Sequence, residues 1–435
     1  MKKAQWSNAH DALRQAIRPG SRIFFSMAAA QPQTLLQALA EDYDYYRNVE
    51  VINAYIMADH PLAKPGMESS FRCVSLQNSP SLRKDWEEGR IDFLPMRHSD
   101  IPLVFSPQGP APIDVALIQV APPGRDGRFS LGASTSVAFP LAYGAKMIVA
   151  EVNDQAPRTY GPCSFSEGEI DFLVETSHPL IAYPEVKISE VEKRIAEIVA
   201  GLIPDRSTIQ IGIGNLPAAI LQLLEGKNDL GIHSGMLSDG IVDLVAKGVI
   251  TNRAKNLFPG KLVTGELIGT EKLLRFAHEN PCVEMHPAEV SHNPQLIGKL
   301  ENFIAINSTI EIDLAGQMNG EFLGGVQISG VGGLFDFVVG ASCARGKSIT
   351  ALTATAGRGK SSRIVASFAK GTVVTLPRYL ADTVVTEFGI AELRGKTLRQ
   401  RAEALIAVAH PDFRDRLREE FGQGMKDKAS LKEIL

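Results

Sequence analysis

The residues most suggestive of chemistry lie between 231 and 252, GIHSGMLSDGIVDLVAKGVITN. An apolar run ends in a tight turn. The turn feeds a helix whose apolar positions Ile241, Val242, Leu244 and Val245 recur at helical spacing. Ser238 and Asp239 stand where a helix N-cap would stand. A side chain at position 235 would project from a strand-to-helix turn beside backbone N–H groups, where α/β proteins concentrate their chemistry. Yet that position is Gly235 and carries no side chain. His233, two residues earlier, is a candidate general base, set against the plainer reading of a structural histidine at a strand end.

Three further segments have the composition of ligand loops. GIGNLP, Gly212 to Pro217, falls between a strand pattern and a helix pattern. The N–H groups of such a loop suit a phosphate or the oxyanion of a polarised carbonyl, and a packing turn explains the glycines equally well. It lacks the third glycine of a dinucleotide fingerprint, and no Walker A sequence occurs. SGVGGLFDF, Ser329 to Phe337, allows backbone to lie flat against a ligand or simply to turn tightly. Lys360, in RGKSSR, is either a partner for a phosphate or carboxylate or a solvated lysine. GxSxG is absent, and no Ser–His–Asp order stands out.

Composition narrows the class. A chain of 435 residues suggests two or three domains. The net charge of −4 gives no electrostatic reason to expect nucleic acid or an anionic membrane as partner. Cys73, Cys163, Cys282 and Cys343 are widely spaced, with no metal-ligand pattern, and read as buried free thiols. No signal-peptide core and no run of about 18 apolar residues is present, so a cytoplasmic protein without a membrane span is expected.

The elements that must carry these loops repeat. GSRIFFSMAAAQPQTLLQALAE and RSTIQIGIGNLPAAILQLLEG both read as strand, small-residue loop, proline and helix, roughly 186 residues apart. That period is too long for a solenoid and points to two similar α/β halves. The Pro- and Gly-rich stretch 153–186 is the natural break, giving halves 1–186 and 187–435, the second opened by an amphipathic helix from about Ser189. Ile101 to Phe105 reads as extended and GTVVTLP as a strand. VVTEFGIAELRGKTLRQRAEALIAVA reads as a loop followed by a helix.

With these segments in view, the chain resembles the acetyl-CoA hydrolase/transferase family, in its 4-hydroxybutyrate CoA-transferase branch. DVALIQVAPPGRDGRFSLG, IQIGIGNLPAAI, the 231–252 stretch, FIAINSTIEIDLAGQ, ISGVGGLFDF and the closing VVTEFGIAELRGKTLRQRAEALIAVAHPDFR carry the resemblance in the family's order. It implies two similar open α/β CoA-transferase domains with the active site between them, usually as a homodimer. Acyl-CoA and a carboxylic acid are then the small-molecule partners, with no permanently bound cofactor and no metal. It implies covalent catalysis by a glutamate, through an acyl–glutamyl anhydride and a glutamyl-CoA thioester. Gly212, Ile213, Gly214, Asn215 and Leu216 would line CoA and the oxyanion. Asn307 and Thr309 would line the CoA channel, and Gly332 and Gly333 would touch the cofactor, beside which Lys360 is read from its own position as a CoA-binding candidate.

The family's glutamate follows the His-Ser/Thr pair of the central motif, and Gly235 occupies that place. Met27, Leu334 and Glu266 also depart from the family pattern, as if one pocket had been remodelled. Three readings are open. The nucleophile has moved, with Glu266 and Glu68 as candidates. Alternatively, water fills the space and the protein hydrolyses acyl-CoA, with His233 or a carboxylate as base. In the third reading the protein binds CoA without turnover. Arg72 and Arg97 would suit the distal carboxylate of a dicarboxylic acid such as succinate or itaconate.

Overall fold

The computed structural model describes residues 3–184 and 186–427, organised by two sheets. The first holds β1 (Gln5–Trp6), β2 (Arg22–Phe25), β3 (Val49–Asn53), β4 (Phe71–Ser75), β5 (Ile91–Phe93), β6 (Val115–Val120), β7 (Met147–Asn153) and β8 (Phe172–Thr176). Their order is β1-β8-β7-β6-β2-β3-β4-β5, parallel throughout. The second sheet holds β9 (Thr208–Ile211), β10 (Gly231–Ile232), β11 (Phe303–Ser308), β12 (Lys347–Ala351), β13 (Thr383–Thr386) and β14 (Gly389–Glu392). Its order is β10-β9-β11-β12-β13-β14, with only the β13–β14 edge pair antiparallel.

Parallel strands covered on both faces must be apolar almost without interruption. β6, VALIQV, is buried at every residue, and so is β9, TIQI. The helix Glu190–Gly201 starts from a capping box between Ser189 and Glu192 and turns Ile195, Ala196, Val199 and Ala200 into the core. The duplication legible in the sequence has a counterpart in topology. The run β3-β2-β6-β7-β8 matches β10-β9-β11-β12-β13 strand for strand, with β4 and β5 extending the first sheet beyond β3. In each sheet the chain steps first to one side of β2 or β9 and then to the other, which opens a switch point at the carboxyl ends.

Some local expectations are corrected. Ile101–Val104 is a helical turn rather than a strand, because Pro102 falls in its first turn, where its fixed φ favours a helix. Residues 371–377 make only an isolated bridge, Met318 to Leu376, and not a strand. The stretch expected as a loop before the last amphipathic helix is the β13–β14 hairpin, turned at Gly389 with φ 132°. Cys73 and Cys163 are buried, but Cys282 and Cys343 are exposed, and all four are free thiols. Ser238 is the N-cap of the helix Asp239–Ala246, although its hydroxyl makes no capping bond. The Asp239 carboxylate instead accepts from Thr270 N and Oγ1 at 3.0 and 3.1 Å, tying this helix to the next. None of the described helices is long and apolar enough to cross a membrane.

Candidate active site

The carboxyl ends of both sheets face one cavity of about 260 Å³. Gly212 and Ile213 follow β9, and Asn307 and Ser308 end β11, on either side of the second sheet's switch point. Met27 after β2, Tyr55 after β3 and Gln77 after β4 come from the first sheet. Much of the wall is apolar: Ile213, Pro217, Ile268, Ile306, Val331 and Leu334 accompany Met27. Asn307 is held by a reciprocal amide pair with Gln210, at 3.1 and 3.3 Å.

Gly235 lines this cavity, and the space its side chain would need is occupied. A Cβ built there would lie 2.6 Å from Cε1 of His292 and nearer still to Nε2. On its other side the same ring meets Gly333, whose Cβ would lie 2.8 Å from Cδ2. Both glycines are therefore required by the close approach of one imidazole. His292 is fully buried and stacks on His98 at 4.0 Å between ring centroids. Phe337 lies 5.0 Å away. Burial first, then His98 and His233, holds His292 well below the ordinary histidine range. Burial takes His98 down to about 4, and its Nε2 is 2.6 Å from Ser136 Oγ. In both of these tilted, closely packed rings burial favours the neutral imidazole.

Glu266 is the acidic residue of the cavity wall. It sits on the short strand Glu266–Leu267, which pairs in parallel with Met236–Leu237, placing it one strand across from the 235 turn. It is 1 % exposed, and among the described residues neither carboxyl oxygen has a hydrogen-bond partner at normal geometry, the Ser134 hydroxyl and Ser136 backbone lying close by. Burial raises its pKa well above the usual carboxylate value, and the Ser134 hydroxyl and Ser136 backbone only partly oppose this. A buried carboxyl group with so few partners, on a residue that lines a cavity, is costly for stability and is the kind of group that active sites retain.

The other candidate residues separate cleanly. Gly212, Ile213, Asn307, Gly332 and Gly333 line the cavity with Glu266. Gly214 faces a neighbouring hollow with Ser238 and Thr270, and Asn215 is exposed at the first turn of its helix. Leu216 belongs to the hydrophobic core instead of the cavity wall. Thr309 is turned away, its hydroxyl donating to Asn319 O at 2.7 Å and so tying two short strands together. Lys360 is exposed on a hairpin outside the cavity. Glu68 is exposed, and its carboxylate accepts from Gly66 N at 2.9 Å, so it is not brought to the site. His233 lies fully buried outside the cavity lining, held down to about 3 by burial and by Lys255. Arg72 pairs with Asp92 and Arg97 with Asp100, both away from the cavity lining. Sequence reasoning missed His292 and His98. Nothing local marked either one, and only the emptiness at Gly235 signalled that another side chain must fill the space. Among the described residues no cluster could hold a metal ion.

Known proteins give this geometry its setting. The acetyl-CoA hydrolase/transferase N-terminal domain matches residues 2–181, and the C-terminal domain of the same family matches 269–421. The chain belongs to this family and is a CoA-transferase, with CoA and acyl-CoA as substrates. It is 44% identical to the 4-hydroxybutyrate coenzyme A transferase of Clostridium kluyveri, over 92% of this chain and 94% of that one. The solved 4-hydroxybutyrate CoA-transferase of Porphyromonas gingivalis superposes with a TM-score of 0.82 at 35% identity, covering 96% of this chain and 97% of that one. RipA from Yersinia pestis superposes with a TM-score of 0.89 at 29% identity, over 96% and 97% of the two chains.

Proposed function

We propose that this CoA-transferase works through a covalent intermediate on Glu266, which stands in for the glutamate absent at Gly235. The observation that carries this reading is Glu266, with its buried carboxyl group and weak hydrogen bonding, in the wall of the cavity that Gly235 also lines. An oxygen of that group bonds to the thioester carbonyl carbon and the C–S bond breaks, leaving an acyl–glutamyl anhydride. The CoA sulfur then attacks the glutamyl carbonyl, the original acid departs, and Glu266 is left as a CoA thioester. A second carboxylic acid reverses the two steps and leaves as its CoA thioester. No permanent cofactor is needed, because the thioester bond energy is conserved throughout.

The acceptor best supported is a short monocarboxylic or hydroxy acid, of the 4-hydroxybutyrate type named for two relatives. None of the described residues lining the cavity is Arg or Lys, so the second carboxylate of succinate or itaconate would be buried without a cation. The apolar wall suits a short acyl chain. A division into halves 1–186 and 187–435, a homodimeric state and a cytoplasmic setting complete the reading. Sedimentation of the purified protein tests the dimer.

Incubation with butyryl-CoA, followed by borohydride reduction and peptide mass mapping, tests the nucleophile. The expected result is a glutamate reduced to its alcohol in the peptide containing Glu266, absent from Glu266→Gln. An unmodified protein that still turns over, or a label on another residue, would overturn it.

A further inference from the structure

The ring that fills the space beside Gly235 is hydrogen-bonded through Nδ1, to Ser291 Oγ. Ser291 Oγ donates to Pro287 O at 3.1 Å, so toward His292 it presents a lone pair. With the hydroxyl proton given to Pro287 O, the 2.9 Å contact with His292 Nδ1 is an Nδ1–H donating to Oγ. Nε2 is left with a free lone pair, and no hydrogen bond among the described residues engages it. Nε2 is also the atom that a side chain at position 235 would meet first, and His292 and Glu266 line the same cavity. The ring packs against His98 and Phe337, with His233 as the other nearby titratable group.

We infer that His292 is a catalytic base of the CoA exchange, its Nε2 carrying the proton between Glu266 and the sulfur of CoA. The inference rests on Glu266 as nucleophile. A buried carboxylic acid attacks poorly while it keeps its proton, and a thiolate leaves poorly into an apolar cavity. A base lining the same cavity as Glu266 would meet both needs. As the Glu266 oxygen bonds to the acyl carbon and the C–S bond breaks, the carboxyl proton passes to Nε2 and then to the departing sulfur. The products are the anhydride and CoA thiol. In the second step the thiol returns its proton to Nε2 as sulfur bonds to the glutamyl carbon. The bond from that carbon to the bridging oxygen breaks, and the released acid takes the proton. The imidazole is neutral at the start and end of each step. Burial, His98 and His233 all disfavour the imidazolium, so the proton does not rest there.

The test measures how fast butyryl-CoA labels Glu266 in the full-length protein, by timed borohydride quenching and peptide mass, over a range of pH. Wild type is expected to label Glu266. His292→Gln is expected to label the same residue about 10²-fold or more slowly, with a rate that climbs with pH, because only the ionised carboxyl group can then attack. His292→Gly is expected to regain rate when imidazole is added, which a ring needed only for packing would not do. Ser291→Ala leaves the ring in place but frees its tautomer, and is expected to slow labelling with little change in CoA affinity. Wild-type rate and pH profile in His292→Gln, or a wild-type rate in Ser291→Ala, would overturn the inference while leaving Glu266 as nucleophile. No label on Glu266 in the wild type would remove both.

Discussion

Restoring even one carbon at position 235 should set the chain against its own histidine. In Gly235→Ala the new Cβ falls 2.6 Å from His292 Cε1, where carbon atoms normally keep about 3.5–4.0 Å apart. The ring cannot retreat, because His98 stacks on it at 4.0 Å and Gly333 closes its far side. Overpacking of this kind costs about 1–3 kcal/mol. The backbone is not the obstacle, since Gly235 is not among the residues with positive φ. With the ring removed, the same substitution should stabilise by about 0.4–1 kcal/mol, through the smaller freedom of the unfolded chain. The two substitutions are thus coupled by about 1.5 to 4 kcal/mol. Urea unfolding of wild type, Gly235→Ala, His292→Ala and the double variant measures that coupling. If Gly235→Ala shifts the midpoint equally in both backgrounds, the ring does not occupy the space and the reasoning fails. The same geometry implies that Gly235→Glu alone should unfold more easily than wild type, and should not acquire a labelled residue 235.

Further outcomes follow from the site. Glu266→Gln should lose CoA exchange by at least about 10³-fold in a steady-state assay. The folded pKa of Glu266 is raised, so its contribution to stability is full below the ordinary carboxylate pKa and is lost as pH rises through the raised value. Glu266→Gln should therefore gain in relative stability as pH rises, seen in thermal melts. Asp336, pushed up to about 6 chiefly by burial, behaves alike: stability is lost between the unfolded value near 3.8 and about 6, by an amount on the order of 3 kcal/mol. Asp336→Asn should flatten that part of the profile. Lys360→Ala and Glu68→Ala should leave kcat/KM within about twofold, because both side chains are exposed outside the cavity.

Much of this was written in the chain in short-range form. The Val and Ile runs of β6 and β9, the Ser189 capping box and the repeated strand–loop–helix needed only local propensity and burial. The gap at Gly235 and the oddity of Met27, Leu334 and Glu266 were also legible, and all four residues line the one cavity. What fills the gap was not. His292 is distant in sequence and follows the one-turn helix Ala288–Ser291, with no periodicity that marks a functional group. Thr309 and Lys360 lie outside the cavity lining, and a hydroxyl or ammonium near a strand end looks alike in sequence whether it faces a ligand, a carbonyl or water. Only the folded contacts decide that. Ile101–Val104 went astray because an apolar five-residue run fits strand and helix alike, and here Pro102 tips it to the helix.

The glycine-rich turn that closes the cavity belongs to one half of the chain and hangs from the other. Gly332 O accepts from His98 N at 3.3 Å. Just beyond, Asp336 accepts from Ser99 N at 3.0 Å and from Ser99 Oγ at 2.7 Å. The donors follow the first sheet and the acceptors precede the second sheet's later strands. Any hinge motion that parts the two sheets must break these three bonds or drag the turn along with the first sheet. Since Gly333 also backs the His292 ring, admitting a substrate and disturbing that ring's seat become parts of a single displacement.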